Sequence, residues 1–92
     1  MNITVQYAAQ LRQITGASSE SITMSPGATV HELLHDLVDR YHERLGPLLL
    51  TADRRPQTSI LVFVNDQQIR MNEASPLQTG DRVTLLSPIA GG

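Results

Sequence analysis

Three short stretches of the 92-residue sequence hold residue types that can do chemistry: "HELLH" from His31 to His35, "DRR" from Asp53 to Arg55, and the closing "LLSPIAGG". The first matches the HExxH pattern of zinc peptidases. There, two histidines at i and i+4 share a helix face and hold the metal, and the glutamate acts as base. The longer form of that pattern would need Gly and His where Val38 and Tyr41 stand. No further downstream ligand or second lobe is present to build a cleft. Leu33 and Leu34, between the histidines, have the spacing of core residues. His31, His35 and His42 fall together on one flank of a helix, and the reading is a solvated face with no metal site, where His31 and His35 offer at most adventitious contact.

Asp53, Arg54 and Arg55 form a small charge cluster in a polar stretch, either a solvated loop or an electrostatic contact to a partner. Arg70 and Arg82 carry the same two readings near a sheet edge. No serine or cysteine has a base partner, no glycine loop could cradle phosphate, and no carboxylates pair at a strand end. The pattern of an enzyme active site is missing.

The tail remains. Glycine packs nothing and loses the most backbone freedom when ordered, so a terminal Gly91-Gly92 is expected to be flexible. A C-terminal carboxylate becomes an acyl donor once activated, for example as an acyl adenylate, and the activating site must exclude water from that mixed anhydride. A narrow channel admits backbone but not side chains, and Gly91-Gly92 fits one. Glycine also leaves the carbonyl under attack unhindered. Pro88 stiffens the exit from the last strand, and Ser87 to Ala90 provide reach.

The elements that must hold this tail follow from periodicity. "NITVQY" alternates with Ile3, Val5 and Tyr7 on one face, as a half-buried strand does. "AAQLRQITG" is a helical turn or two stopped at Gly16. "ESITM" is a strand with Ile22 and Met24 inward, punctuated by "SPG". In "TVHELLHDLVDRYHERLG", residues Val30, Leu33, Leu34, Leu37, Val38, Tyr41 and Leu45 fall on one helical stripe. Thr29 and Glu32 form a capping box, and Gly46-Pro47 is the expected stop. Residues 48–59 read as a loop. "ILVFV" is a strand apolar on both faces, halted by the turn pair Asn65-Asp66. "QIR" is a short edge strand, "PLQTGD" a turn, and "RVTLL" a last strand with Val83 and Leu85 inward.

One long amphipathic helix and these strands make two packed layers of the α+β class. The expected fold is a β-grasp, ubiquitin-like, with a mixed four- to five-stranded sheet and the helix on one face. Residues 1–86 form the domain and residues 87–92 the functional tail. If Ile60, Val62 and Val64 face the helix, Leu61 and Phe63 face away, and Leu86 does the same in the last strand. These three form an apolar patch, either a partner surface or a face covered by loop 48–59.

Composition narrows the classes further. A net charge of −2 argues against nucleic acid. Apolar runs are too short to span a bilayer, and the N-terminal stretch has no signal pattern, so the expected location is the cytoplasm. Cysteine is absent, and all seven basic residues are arginine. An arginine is a poor nucleophile, whereas a lysine amine can attack acyl groups.

Together, "TVHELLHDL", "VFVND", "TGDRVTLL" and "SPIAGG" resemble the MoaD/ThiS family of ubiquitin-like sulfur carriers over the whole chain. Length and the Pro-containing tail are most similar to the small subunits of molybdopterin synthase. "FVNDQQIR" and the long central loop are similar to carriers used in cysteine synthesis. The resemblance implies that a ubiquitin-activating-like adenylyltransferase uses ATP to adenylate Gly92, and that sulfur then replaces the adenylate as a thiocarboxylate. The charged tail would next enter a sulfur-accepting enzyme, such as the large subunit of molybdopterin synthase, as a non-catalytic sulfur-carrying subunit. It implies no permanently bound cofactor. Gly91 and Gly92 would then carry the chemistry, with Pro88, Ile89 and Ala90 expected to meet the partners and the apolar patch of Leu61, Phe63 and Leu86 the expected docking surface if the loop leaves it open. The lack of cysteine agrees with sulfur riding on the carboxyl terminus. The alternatives are a carrier for cysteine or thiamine biosynthesis, and a protein modifier conjugated through Gly92.

Overall fold

The computed structural model describes residues 1–69 and 76–87, with backbone only at residues 42–44. The chain runs through β1 (Asn2–Ala9), α1 (Gln10–Thr15), β2 (Ser19–Thr23), α2 (Val30–Leu49), β3 (Leu61–Val64), β4 (Gln67–Ile69) and β5 (Arg82–Ser87). One five-stranded sheet has the order β2-β1-β5-β3-β4. β1 and β5 pair in parallel and the other neighbours antiparallel, so the sheet is mixed as expected.

Alternation decides the faces. Ile3, Val5 and Tyr7 of β1, Ile22 of β2, Val62 of β3, and Val83 and Leu85 of β5 are buried in a single core. Against them α2 lays Val30, Leu33, Leu34, Leu37, Leu45 and Leu49, the stripe read from the sequence with one turn added. Val38, Tyr41 and Met24 pack at its margin, half-buried. Ordering these side chains in one layer removes them from water at roughly 25 cal/mol per Å² of apolar surface, which is what binds helix to sheet.

The local signals hold at most junctions. Thr29 caps α2, its Oγ1 accepting from the Glu32 N–H at 3.3 Å. Gly16 ends α1 in the left-handed region at φ 75, where an L side chain would be strained. Asn65 and Asp66 both have positive φ, as a two-residue hairpin turn demands, and they join β3 to β4.

One expected stop is wrong. α2 runs through Gly46 and Pro47 to Leu49 and is closed by the Leu50 N–H donating to the Gly46 carbonyl at 2.8 Å. Gly46 does not take the left-handed conformation of a cap. A proline inside a helix costs about 3 kcal/mol, but burying Leu49 and Leu50 contributes roughly 1.5–3 kcal/mol each, and both join the core. The loop therefore starts at Leu50 rather than at 48. Nor does it cover the outer sheet face. Gln57 N–H donates to the Leu49 carbonyl at 2.9 Å, and Gln57 Nε2 to the Pro47 carbonyl at 3.2 Å, so the loop folds onto α2.

Candidate functional site

β5 occupies the middle of the sheet, between β1 and β3, and its last residue, Ser87, is the last described residue of the chain. Ser87 lies opposite Ala9 and is 5% exposed, so the strand takes in the first residue of the expected tail. The other end of β5 is tied down by a turn network. Asn65 Oδ1 accepts from the Arg82 N–H at 3.0 Å, Asn65 Nδ2 donates to Asp81 Oδ1 at 2.9 Å, and Arg82 Nη2 meets Asp66 Oδ2 at 2.6 Å. Arg82 thus starts a central strand and is already paired, which corrects its expected place at a sheet edge. Arg70, Pro88, Ile89, Ala90, Gly91 and Gly92 lie outside the described residues, as does the side chain of His42.

At the Ser87 end, β1 turns directly into α1 through Ala9, whose φ of 53 is a strained value for a residue with a Cβ. The chain accepts this because Leu11 is then buried in the core, holding α1 against the end of the sheet. Arg12 reaches back from α1, its Nε donating to the Tyr7 carbonyl at 3.5 Å.

The face of the sheet away from α2 is organised in cross-strand rows. Ala8, Leu86 and Leu61 stand side by side on β1, β5 and β3. Next to them run Gln6, Thr84, Phe63 and Gln68. Thr84 Oγ1 donates to Gln6 Oε1 at 3.1 Å, so that row is polar on both sides of Phe63. Leu61, Phe63 and Leu86 are each half-buried, whereas Ile60 and Val62 are buried, as the expected register requires. The apolar surface is Leu61, Leu86 and Ala8 in line, with Phe63 on the diagonal. Sequence reasoning missed Ala8. Only the parallel pairing of β1 with β5 brings it there, and no local pattern encodes that pairing.

Among the described residues no group of three or more His, Asp or Glu side chains has the geometry to hold an ion. His31 and His35 line an open groove of about 610 Å³ with Met24, Glu32, Asp36 and Asp39. Both ring nitrogens of His35 are engaged by Arg54: Nε2 lies 3.0 Å from its carbonyl oxygen and Nδ1 3.3 Å from its Nη2. A guanidinium only donates and a carbonyl only accepts, so the pair is satisfied by neutral imidazole with its proton on Nε2. Arg54 also meets Asp39 at 3.5 Å, both more than half exposed, an ion pair worth little in water. Arg54 stays more than half exposed, as a solvated loop requires, but with His35 it also clasps the loop to α2, and no pattern within either segment announced that contact.

A second contact was also invisible in the sequence. The Tyr41 hydroxyl of α2 donates to the Glu20 carboxylate of β2. Tyr7 meets Tyr41 edge-on at 6.4 Å, and its own hydroxyl is buried beside that pair, making no hydrogen bond of good geometry among the described residues. Burial first, then the negative charge of Glu20, pushes the Tyr7 hydroxyl far above the ordinary tyrosine range. The bond to Glu20 raises Tyr41 as well, with burial second. This cluster pins helix to sheet and offers no group free for chemistry.

Comparison with known proteins agrees with this geometry. Residues 5–92 match the sequence profile of the ThiS family. The molybdopterin synthase sulfur carrier subunit of Chlamydomonas reinhardtii is 25% identical over 92 residues, covering 100% of both chains. The crystal structure of SAMP1 from Haloferax volcanii superposes with a TM-score of 0.83 at 25% identity, again over 100% of each chain. A chain in the crystal structure of the Amycolatopsis orientalis BexX/CysO complex gives a TM-score of 0.68 at 30% identity, over 98% of this chain and 99% of that one. The fold is the ubiquitin-like β-grasp that these proteins share.

Proposed function

From the premise that the chain belongs to the ThiS family, within the ubiquitin-like sulfur carriers and modifiers, we propose that it carries sulfur as a thiocarboxylate on Gly92, for molybdopterin biosynthesis. The observation that carries this reading is the position of β5. The strand that leads into the tail is the middle strand of the sheet, held on both sides, so the tail starts from a rigid base.

A partner adenylyltransferase transfers AMP from ATP to the Gly92 carboxylate, releasing pyrophosphate. A sulfur nucleophile then attacks the acyl carbon, the bond to the AMP oxygen breaks, and the thiocarboxylate remains. ATP belongs to the partner, and no cofactor is held permanently. Gly91 and Gly92 pass the narrow entry of the activating site, with Pro88, Ile89 and Ala90 contacting its mouth. Leu61, Phe63 and Leu86 dock the partner on the outer face, and Ala8 extends their row towards β1. The sulfur acceptor on this reading is the large subunit of a molybdopterin synthase.

A second reading, a carrier for another sulfur pathway, is favoured by the 30% identity to a chain of the BexX/CysO complex, and cysteine biosynthesis is the pathway to test first. The test is reconstitution with ATP, a cognate activating enzyme and a sulfur source, followed by intact mass. One oxygen exchanged for sulfur at the C-terminus is the expected result. An unchanged terminus with an active partner enzyme would reject the proposal. Supplying the product to molybdopterin synthase and cysteine synthase partners in turn separates the two readings.

A further inference from the structure

Among the described residues, the loop that starts at Leu50 is fastened to α2 in two different ways. Near the helix end, Gln57 Nε2 donates to the Pro47 and Leu50 carbonyls at 3.2 and 3.3 Å, beside its own N–H bond to Leu49. The tip turns back on itself, the Thr51 N–H donating to the Arg55 carbonyl at 2.7 Å and the Arg54 N–H to the Thr51 carbonyl at 2.9 Å. From that tip Arg54 reaches the second turn of α2. Its carbonyl lies 3.0 Å from His35 Nε2, its Nη2 lies 3.3 Å from His35 Nδ1, and the same Nη2 lies 3.5 Å from Asp39. Arg54 takes a φ of 62 to do so, a strained value for a residue with a Cβ. The contact with α2 offsets that strain.

This contact requires an uncharged imidazole. A guanidinium only donates, so Nδ1 must offer its lone pair. Imidazole is also the side chain that gains a charge between about pH 5 and 8. A proton taken from solvent onto Nδ1 consumes the lone pair and sets imidazolium against guanidinium. The carboxylates nearby act the other way. Glu32, Asp36 and Asp39 line the same groove as His35, together with His31, whereas Thr23, Met24, Ser25 and Ala28 bring no charge to it. On the loop, Asp53 and Arg55 flank Arg54. Asp39 stands four residues after His35, a spacing at which helix side chains meet. It can accept from a protonated Nδ1, so proton uptake passes Asp39 from Arg54 to His35.

We propose that His35 and Arg54 form a proton-operated latch on the loop after α2, closed when His35 is neutral and open when it is protonated. On opening, the guanidinium leaves for solvent and the tip keeps a single bond to His35, from Nε2 to the Arg54 carbonyl. The Arg54 backbone then relaxes out of the left-handed region. Arg54 also lines an apolar cleft of about 390 Å³ with Val38, Pro47, Leu50 and Ala52. Its release widens that cleft, so acid pH presents an apolar surface that neutral pH confines.

Nuclear magnetic resonance on the full chain, labelled with nitrogen-15, tests the latch. At about pH 8 the His35 ring should carry its proton on Nε2. The amides of Ala52 to Arg55 should then give order parameters of about 0.85, the value of rigid backbone. At about pH 5.5 those amides should fall below about 0.6, while Leu33 and Leu37 stay rigid. Circular dichroism at both pH values checks that α2 is intact. His35→Gln cannot take up a proton, and Arg54→Gln has no cation to expel, so each should show the same tip order at both pH values. His31→Gln should respond as the wild type does, which separates the two histidines. A ring proton on Nδ1 at the higher pH would overturn the proposal, as would a wild-type tip equally ordered at both. So would a response that survives His35→Gln or Arg54→Gln, or one that disappears in His31→Gln.

Discussion

Leu86 and Leu61 stand directly opposite each other across β5 and β3, on the face of the sheet that α2 leaves uncovered. Both are half-buried, whereas their strand neighbours Leu85 and Val62 are sealed in the core. A partner that covers this pair also meets Ala8 on one flank and Phe63 on the diagonal, beside the strand from which the tail leaves.

Charging this face should therefore separate binding from folding. Phe63→Asp and Leu61→Asp are expected to weaken binding to the activating enzyme by about 2 kcal/mol or more, as central apolar anchors do. Stability should change by less than about 1 kcal/mol, because neither side chain belongs to the core. Thermal melting and affinity measured on the same samples check this. Unfolding by Phe63→Asp would mean that the two faces of β3 have been assigned the wrong way round.

The chemistry of the tail makes its length critical. Deleting Gly92, or adding one residue after it, should abolish thiocarboxylate formation and leave the melting temperature unchanged. Sulfur transfer by the extended form at the wild-type rate would rule out a terminal acyl adenylate.

Glu32 is the residue that "HELLH" would require as a base. Its backbone N–H, rather than its carboxylate, makes the cap to Thr29 Oγ1. Glu32→Gln should leave sulfur transfer intact and cost well under about 1 kcal/mol, whereas Thr29→Ala should cost about 1 kcal/mol through the lost cap. A zinc-dependent peptidase activity that disappears with Glu32→Gln would restore the metal-site reading.

Tyr7 gives a pH prediction with a definite sign. Its hydroxyl is held protonated in the folded chain and ionises near 10 in the unfolded one. Because the folded value is the higher, its contribution to stability is complete below pH 10 and is lost as pH rises above it. The loss is about 1.4 kcal/mol per pH unit from this residue. Tyr7→Phe should be neutral or slightly stabilising at pH 7, since the buried hydroxyl makes no hydrogen bond of good geometry among the described residues. It should also flatten the fall above pH 10. Urea unfolding from pH 8 to 11 measures both, and identical slopes for the two proteins would contradict the assignment.

Short-range physics determined a good part of this molecule directly from the sequence. The stripe from Val30 to Leu45, the Thr29 cap, the alternation of Ile3, Val5 and Tyr7, and the Asn65-Asp66 turn all depend on residues within a turn or a strand of each other. Each was legible for that reason. The inward or outward sense of Leu61, Phe63 and Leu86 followed from the same period of two. What the tertiary structure alone decided was which distant segments meet. Thr84 bonds Gln6 across 78 positions, and Ala8 joins Leu86 through a parallel pairing that no neighbouring residue specifies. Tyr41 finds Glu20, and Arg54 finds His35, across 21 and 19 positions. Local rules also misplaced the end of α2. Gly46 and Pro47 favour a stop by their own backbone preferences, but the core gained by burying Leu49 and Leu50 outweighs them, and that gain exists only once the sheet is in place.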